Sequence, residues 1–137
     1  MIAVIALIAG LGLATVVGWW LNRRSGVLVA TAPDPGLPAP ELPDLGLATD
    51  RPTVVHFSAT WCGPCAAVRR VVDQVCAELP VAHVEIDMDA NPSAARALSV
   101  LSLPTTLIFD AHGRQCYRST GVPTQAVLRT ALQALLA

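Results

Sequence analysis

The run Ile2–Leu21 limits the chain more than any other feature, because its twenty residues contain no charge and no proline. Wound as a helix at about 1.5 Å per residue, it spans about 30 Å, the thickness of a bilayer's hydrocarbon core. Gly10, Gly12 and Gly18 are tolerated in such a helix, and Trp19–Trp20 falls where an interfacial aromatic belt places amphipathic rings. A cleaved signal peptide would show a basic start, a shorter apolar stretch and a small-x-small site; no Arg or Lys precedes this run, and bulky Trp19–Trp20–Leu21 ends it. A buried core helix would carry a polar stripe, and none is present. The expectation is a single transmembrane anchor over residues 1–22.

Without that segment the composition is that of an ordinary soluble domain. Of 137 residues 53% are apolar and 14% charged; setting aside Met1–Leu21 leaves 56 apolar residues in 116. Arg23 and Arg24 follow the apolar run directly, while the other seven arginines and all ten acids lie beyond it, so the remainder carries −3. There is no lysine and no basic stripe, which excludes nucleic acid as a partner. Positive-inside logic applied to the two arginines faces the C-terminal body to the cytoplasm, the alternative being an extracytoplasmic body. Six prolines between Thr31 and Pro52 preclude a regular helix. Residues 23–52 thus read as a juxtamembrane and Pro-rich linker, a semi-extended tether holding the body off the bilayer. Within it Val27–Ala30 fits either a short edge strand or plain juxtamembrane chain.

From Thr53 short apolar runs alternate with helical periodicity. Val54–Phe57 reads as a buried strand, and Val68, Val71, Val72, Val75, Cys76 and Leu79 draw one stripe of a helix that Pro80 ends. Val81–Ile86 is a second strand, and Asn91–Pro92–Ser93 opens a short helix through Leu98. Thr105–Phe109 and Gln115–Ser119 form a hairpin across Ala111–His112–Gly113, and a last helix begins near Thr124 with Leu128, Ala131, Leu132 and Leu135 inward. The order β-α-β-α-β-β-α predicts an α/β fold over residues 53–137, a mixed central sheet flanked by helices.

Between the first strand and the long helix lies Trp61-Cys62-Gly63-Pro64-Cys65. A cysteine at a helix N-terminus meets the positive end of the dipole and unpaired N–H groups, which favour thiolate. Cys62 is therefore the expected nucleophile, and Cys65, one turn on, the thiol that resolves a mixed disulfide; the pair cycles between dithiol and disulfide without a cofactor. Pro64 suits a first turn, where its missing N–H has no helical partner. Half of a zinc site is the rival for this spacing, but Cys76 lies on the apolar stripe and Cys116 stands alone on a strand, so no second ligand pair exists and no metal is expected. Cys76 reads as a small core residue. Cys116, between Arg114 and Arg118, reads as an exposed thiol with redox sensing as the alternative.

This pentapeptide after a strand, with Leu103-Pro104-Thr105 downstream and Gly121 after the hairpin, resembles the thioredoxin family over the last 85 or so residues. The resemblance implies a thioredoxin-like fold and a redox-active Cys62–Cys65 disulfide. It also implies a cis Pro104 facing the two cysteines, and a groove for an extended substrate strand built from Trp61, Gly63, Pro64, Leu103, Pro104, Gly121 and Val122. Disulfide-containing proteins are the implied substrates. A thioredoxin reductase or small-thiol system recharges the dithiol if the body is cytoplasmic; a membrane thiol transporter does so if it is outside, for instance in cytochrome maturation.

Three departures from the family stand out. His56 occupies the position, six before the first cysteine, where many thioredoxins bury an Asp, so an imidazole could serve as proton relay for the resolving thiol, or be a packed strand residue. His83 falls where a Lys often accompanies that acid. Arg70 replaces a helix-kinking Pro, and the tether replaces the family's first strand and helix, which leaves four strands. The reading is a single-pass, membrane-anchored thiol-disulfide oxidoreductase, a protein-disulfide reductase of a bacterial plasma membrane. A groove-binding module without turnover is the rival from another class.

Overall fold

The computed structural model describes residues 1–23, 25–31 and 45–137; Arg24 and residues 32–44, among them Pro33, Pro35, Pro38, Pro40 and Pro43, lie outside the described residues. The apolar run forms α1 (Ile2–Asn22), with none of its residues buried. A window within it has a mean hydropathy of 2.3, so one helix is long and apolar enough to cross a membrane, a test that a signal sequence also passes. At its end the Arg23 guanidinium lies 3.4 Å from the centroid of the Trp19 ring.

The body comprises β1 (Val29–Ala30), β2 (Thr53–Ser58), α2 (Cys65–Glu78), β3 (Ala82–Asp87), α3 (Pro92–Ala97), β4 (Thr105–Phe109), β5 (Gln115–Thr120) and α4 (Gln125–Leu136). The described residues form a five-stranded mixed sheet in the order β1-β5-β4-β2-β3, in which β2 and β3 run parallel and the other neighbours antiparallel. Alternation along the strands divides the core between the two faces. On one face Val55, Phe57, Ile86, Leu107 and Phe109 pack with Leu45 and with Ala95 and Leu98 at α3. On the other Val54 and Ile108 pack under the α2 stripe Val68, Val72 and Val75 and the α4 stripe Leu128, Ala131 and Leu132. α4 starts where Thr124 caps it, its hydroxyl accepting from the Val127 N–H at 3.3 Å. From Thr53 on, the expected order of elements is the observed one.

Two expectations are corrected. The sheet has five strands rather than four, because Val29 and Ala30 pair with Arg118 and Tyr117 at the β5 edge. This also changes the tether, since β1 precedes the Pro-rich stretch. Thr31 N–H donates to the Cys116 carbonyl at 2.9 Å on one side of it, and Leu45 is buried in the core on the other. The Pro-rich stretch therefore joins two parts of one body and does not space that body from α1. Backbone pairing gives β1 partners that its two exposed side chains do not advertise.

Candidate active site

The pairing registers bring the site's pieces to one end of the sheet. Phe57 near the end of β2 lies opposite Thr105 at the start of β4, and Thr105 lies opposite Thr120 at the end of β5. The segments that continue from these three points are Trp61–Cys65, Leu103–Pro104 and Gly121–Val122. The Leu103–Pro104 bond is cis, and the Gly121 N–H donates to the Pro104 carbonyl at 2.9 Å.

Cys62 and Cys65 are joined in a disulfide with their Cα atoms 5.5 Å apart. α2 begins at Cys65 with Pro64 as its cap residue, so Cys62 stands in the turn ahead of the helix, two residues before the cap, rather than at the helix N-terminus as expected. Its N–H donates to the Ala59 carbonyl at 3.1 Å, and its carbonyl accepts from the Cys65 N–H at 3.3 Å. Cys65 is buried at 2% exposure, its sulfur 4.0 Å from the Phe57 carbonyl oxygen, while Cys62 is partly exposed. That asymmetry suits one sulfur to meet a partner and the other to wait. Trp61 is 65% exposed, its indole N–H donating to Asp89 at 2.9 Å; Gly63 and Pro64 are exposed, Leu103, Gly121 and Val122 half-buried and Pro104 buried.

His56 has no exposed surface and lies on the sheet face that α2 covers. Its Nδ1 is 2.9 Å from Nε2 of His83, whose Nδ1 is 3.0 Å from the Asp73 carboxylate on α2. A carboxylate only accepts, so the His83 proton sits on Nδ1 and its Nε2 accepts from His56 Nδ1–H. With one proton on each ring, His56 Nε2 is left as a bare lone pair, buried and without a hydrogen-bond partner among the described residues, 3.5 Å from Glu85 Oε1. Burial, above all, lowers the His56 pKa to about 4, with the neighbouring His83 and Arg69 adding to it against the pull of Glu85 and Asp73. The His56–Glu85 contact is therefore one between a neutral ring and a carboxylate. Glu85 itself is held ionised at about 2, chiefly by the Arg69 guanidinium and also by the Ser58 hydroxyl, which donates to it at 2.7 Å.

Cys76 packs against the α2–α4 cluster, and burial pushes its thiol up to about 11. Cys116 is also raised, by burial first, with its sulfur 3.5 Å from the Arg114 carbonyl. Two residues escaped the sequence reading. Asp73 lies among polar residues on the outer face of α2, where nothing in the sequence distinguishes it. Gly26 has φ +83°, and a Cβ there would stand 2.1 Å from the Val122 carbonyl oxygen. Facing it, Gly121 has φ +88°, and a Cβ there would meet Ser25 Cβ at 3.0 Å. A Ser-Gly pair after the basic residues was the available signal.

The family model that matches is that of thioredoxin, over residues 44–134. The chain is 41% identical over 86 residues to a thioredoxin of Mycolicibacterium smegmatis, covering 60% of this chain and 76% of that one. It is 38% identical over 86 residues to a bifunctional thioredoxin reductase/thioredoxin of Mycobacterium leprae, covering 60% of this chain and 18% of that protein. Among solved structures, a single-site mutant of a thioredoxin from Halobacterium salinarum superposes with a TM-score of 0.64 at 28% identity, covering 71% of this chain and 84% of that one. The chain belongs to the thioredoxin family, and its Cys62–Cys65 pair makes it a thiol-disulfide oxidoreductase.

Proposed function

We propose that this oxidoreductase is a membrane-tethered protein-disulfide reductase, anchored through residues 2–21 and recharged by a thioredoxin reductase. The observation that carries the exchange chemistry is the asymmetric pair, a reachable Cys62 and a Cys65 buried at 2% exposure. Residues 1–22 are the anchor, residues 23–52 the connector, which packs on the body both at Gly26–Thr31 and at Leu45, and residues 53–137 the catalytic domain. The two electrons that leave the dithiol reduce the substrate. Cys62 thiolate attacks a substrate disulfide, and the departing substrate sulfur takes a proton from solvent. The Cys65 thiol then gives its proton to the bare His56 Nε2, and its sulfur attacks Cys62. This forms Cys62–Cys65 and releases the second substrate sulfur as a thiolate, which takes up a proton as His56 returns its own and becomes neutral again. His56 is the proton relay; Glu85 lies beside the imidazolium as it forms, and His83 with Asp73 holds its other nitrogen. Trp61, Gly63, Pro64, Leu103, Pro104, Gly121 and Val122 line the groove for the substrate strand.

The fusion of a thioredoxin to its reductase in the Mycobacterium leprae relative supports a reductase as electron donor. Arg23 just beyond α1 supports a cytoplasmic body in a bacterial plasma membrane. The reducing activity is tested by insulin turbidity with dithiothreitol as electron source: the chain accelerates precipitation and the Cys62→Ser variant does not. Equal rates would leave only a binding module. Orientation is tested by labelling reduced Cys62 in intact cells with a membrane-impermeant maleimide. Labelling only after lysis fits a cytoplasmic body, and labelling of intact cells moves the body outside, where a membrane thiol transporter replaces the reductase.

A further inference from the structure

We infer that the disulfide-exchanging end of the body faces the bilayer, and that its substrates carry their disulfides in polypeptide immediately adjoining a membrane-spanning segment. This rests on the tethered-reductase reading above and adds to it the direction in which the site points.

The sheet itself supplies the geometry. Cys62, Pro104 and Gly121 all lie beyond the same end of it, as the β2–β4 and β4–β5 registers require. Because β1 runs antiparallel to β5, its first residue lies toward the last residues of β5, so the chain coming from α1 enters the body at that same end. The entry point is fixed: Gly26 N–H donates to the Thr120 carbonyl at 2.6 Å, and Gly26 lies so close to Val122 that no side chain fits between them. Ser25 and Gly26 thus abut two of the groove residues, Gly121 and Val122. Only residues 23–25 separate Asn22, the last residue of α1, from Gly26. Four Cα–Cα steps reach at most about 14 Å, whereas the headgroup layer on one side of a bilayer is roughly 5 to 8 Å deep. The groove therefore cannot stand far above the lipid surface, on whichever side the body lies.

The surface at this end suits such a position. Trp61 is 65% exposed and Leu101, in the loop leading to Pro104, is 94% exposed. Asp89 holds the Trp61 indole and Asp87 caps the adjoining turn. Carboxylates there repel anionic headgroups, so the occupant the end accepts is a polypeptide strand and not a lipid. A disulfide a few residues from a membrane span meets Cys62 directly. One carried on a distant domain must first reach down past the body.

The test uses the full chain, pre-reduced and reconstituted in phosphatidylcholine vesicles with the body on the outer face. The probes are two leucine-rich single-span peptides bearing the same Cys-Gly-Ser-Gly-Cys disulfide loop, either directly after the span or beyond a long Gly/Ser spacer. In each, the dithiol's two electrons and two protons convert the loop to its dithiol, and Cys62–Cys65 forms. Single-turnover oxidation should be about tenfold faster with the near loop, a difference of effective concentration alone. A roughly twenty-residue Gly/Ser insertion between Arg23 and Arg24 should bring the two rates together. Equal rates in the unmodified chain, a faster far loop, or a preference that survives the insertion would overturn the inference. Oxidised insulin in detergent separates the layers: a chain that reduces insulin but shows no near preference loses only the membrane-facing assignment, and one that fails on insulin loses the reductase reading and this inference with it.

Discussion

An imidazole with no exposed surface loses its hydration if it charges, and at His56 this outweighs the nearby carboxylates, so the ring is neutral near pH 7. In the unfolded chain the same ring binds its proton near pH 6.5. Between pH 6.5 and about 4 the unfolded state thus holds more protons than the folded one, and stability falls as the pH is lowered through that window, by up to about 3 kcal/mol for this group. Glu85 acts in the same direction lower down, its contribution being lost as the pH falls from its unfolded value toward about 2. Urea midpoints measured from pH 7 to 4 should therefore decline for the native chain and decline less for His56→Gln. Asp73 offers a cleaner probe, since its side chain is 59% exposed and contributes little to packing. In a Cys62 mixed disulfide with a model peptide, Asp73→Ala, which removes the acceptor for His83 Nδ1–H, should slow release about tenfold while moving the urea midpoint little; unchanged release would make the two histidines structural. Alkylation of the reduced chain by iodoacetamide at pH 7 should modify Cys62 and spare Cys76, whose thiol stays protonated.

At the scale of elements, β1 is where side-chain pattern and backbone geometry part company. Thr53–Phe109 was legible because buried alternation and helical stripes are written in apolar side chains, and the pentapeptide between them identifies the chemistry. β1 is two residues long with both side chains exposed, so its place depends on hydrogen bonds to β5 and on the close approach of Gly26 to Val122. None of these leaves a periodicity to read. The Asp73–His83–His56 chain was half legible: the two histidines stand at positions the family marks, whereas the acid that orients them comes from a polar helix face. Gly26→Ala puts a methyl group where the Val122 carbonyl stands and requires a backbone conformation unfavourable to alanine, so it should destabilise the chain by about 1–3 kcal/mol. Comparison of urea unfolding for a chain starting at Ser25 with one starting at Asp44 should show the former to be more stable, and the Gly26→Ala change should remove most of that difference.

For the whole molecule, the decisive relation is the one between α1 and the edge of the sheet. In a reconstituted chain carrying Trp19→Phe and Trp20→Phe, fluorescence quenching by lipids brominated near the headgroup should reach Trp61 and fade after a Gly/Ser insertion at Arg23–Arg24; quenching unaffected by the insertion would mean that Trp61 meets lipid independently of the connection. The same pairing also sets an order of events during synthesis. Val29 finds its partner Arg118 only after about ninety further residues have been made, a delay of roughly 4 to 18 s at ordinary elongation rates. A two-residue strand cannot persist alone through that interval, so the N-terminal segment waits unpaired while the hairpin that will receive it is still inside the ribosome. Closure of the sheet at β1 thus waits on β5, and a chain stalled or truncated before Arg118 leaves β1 with no edge to fasten to.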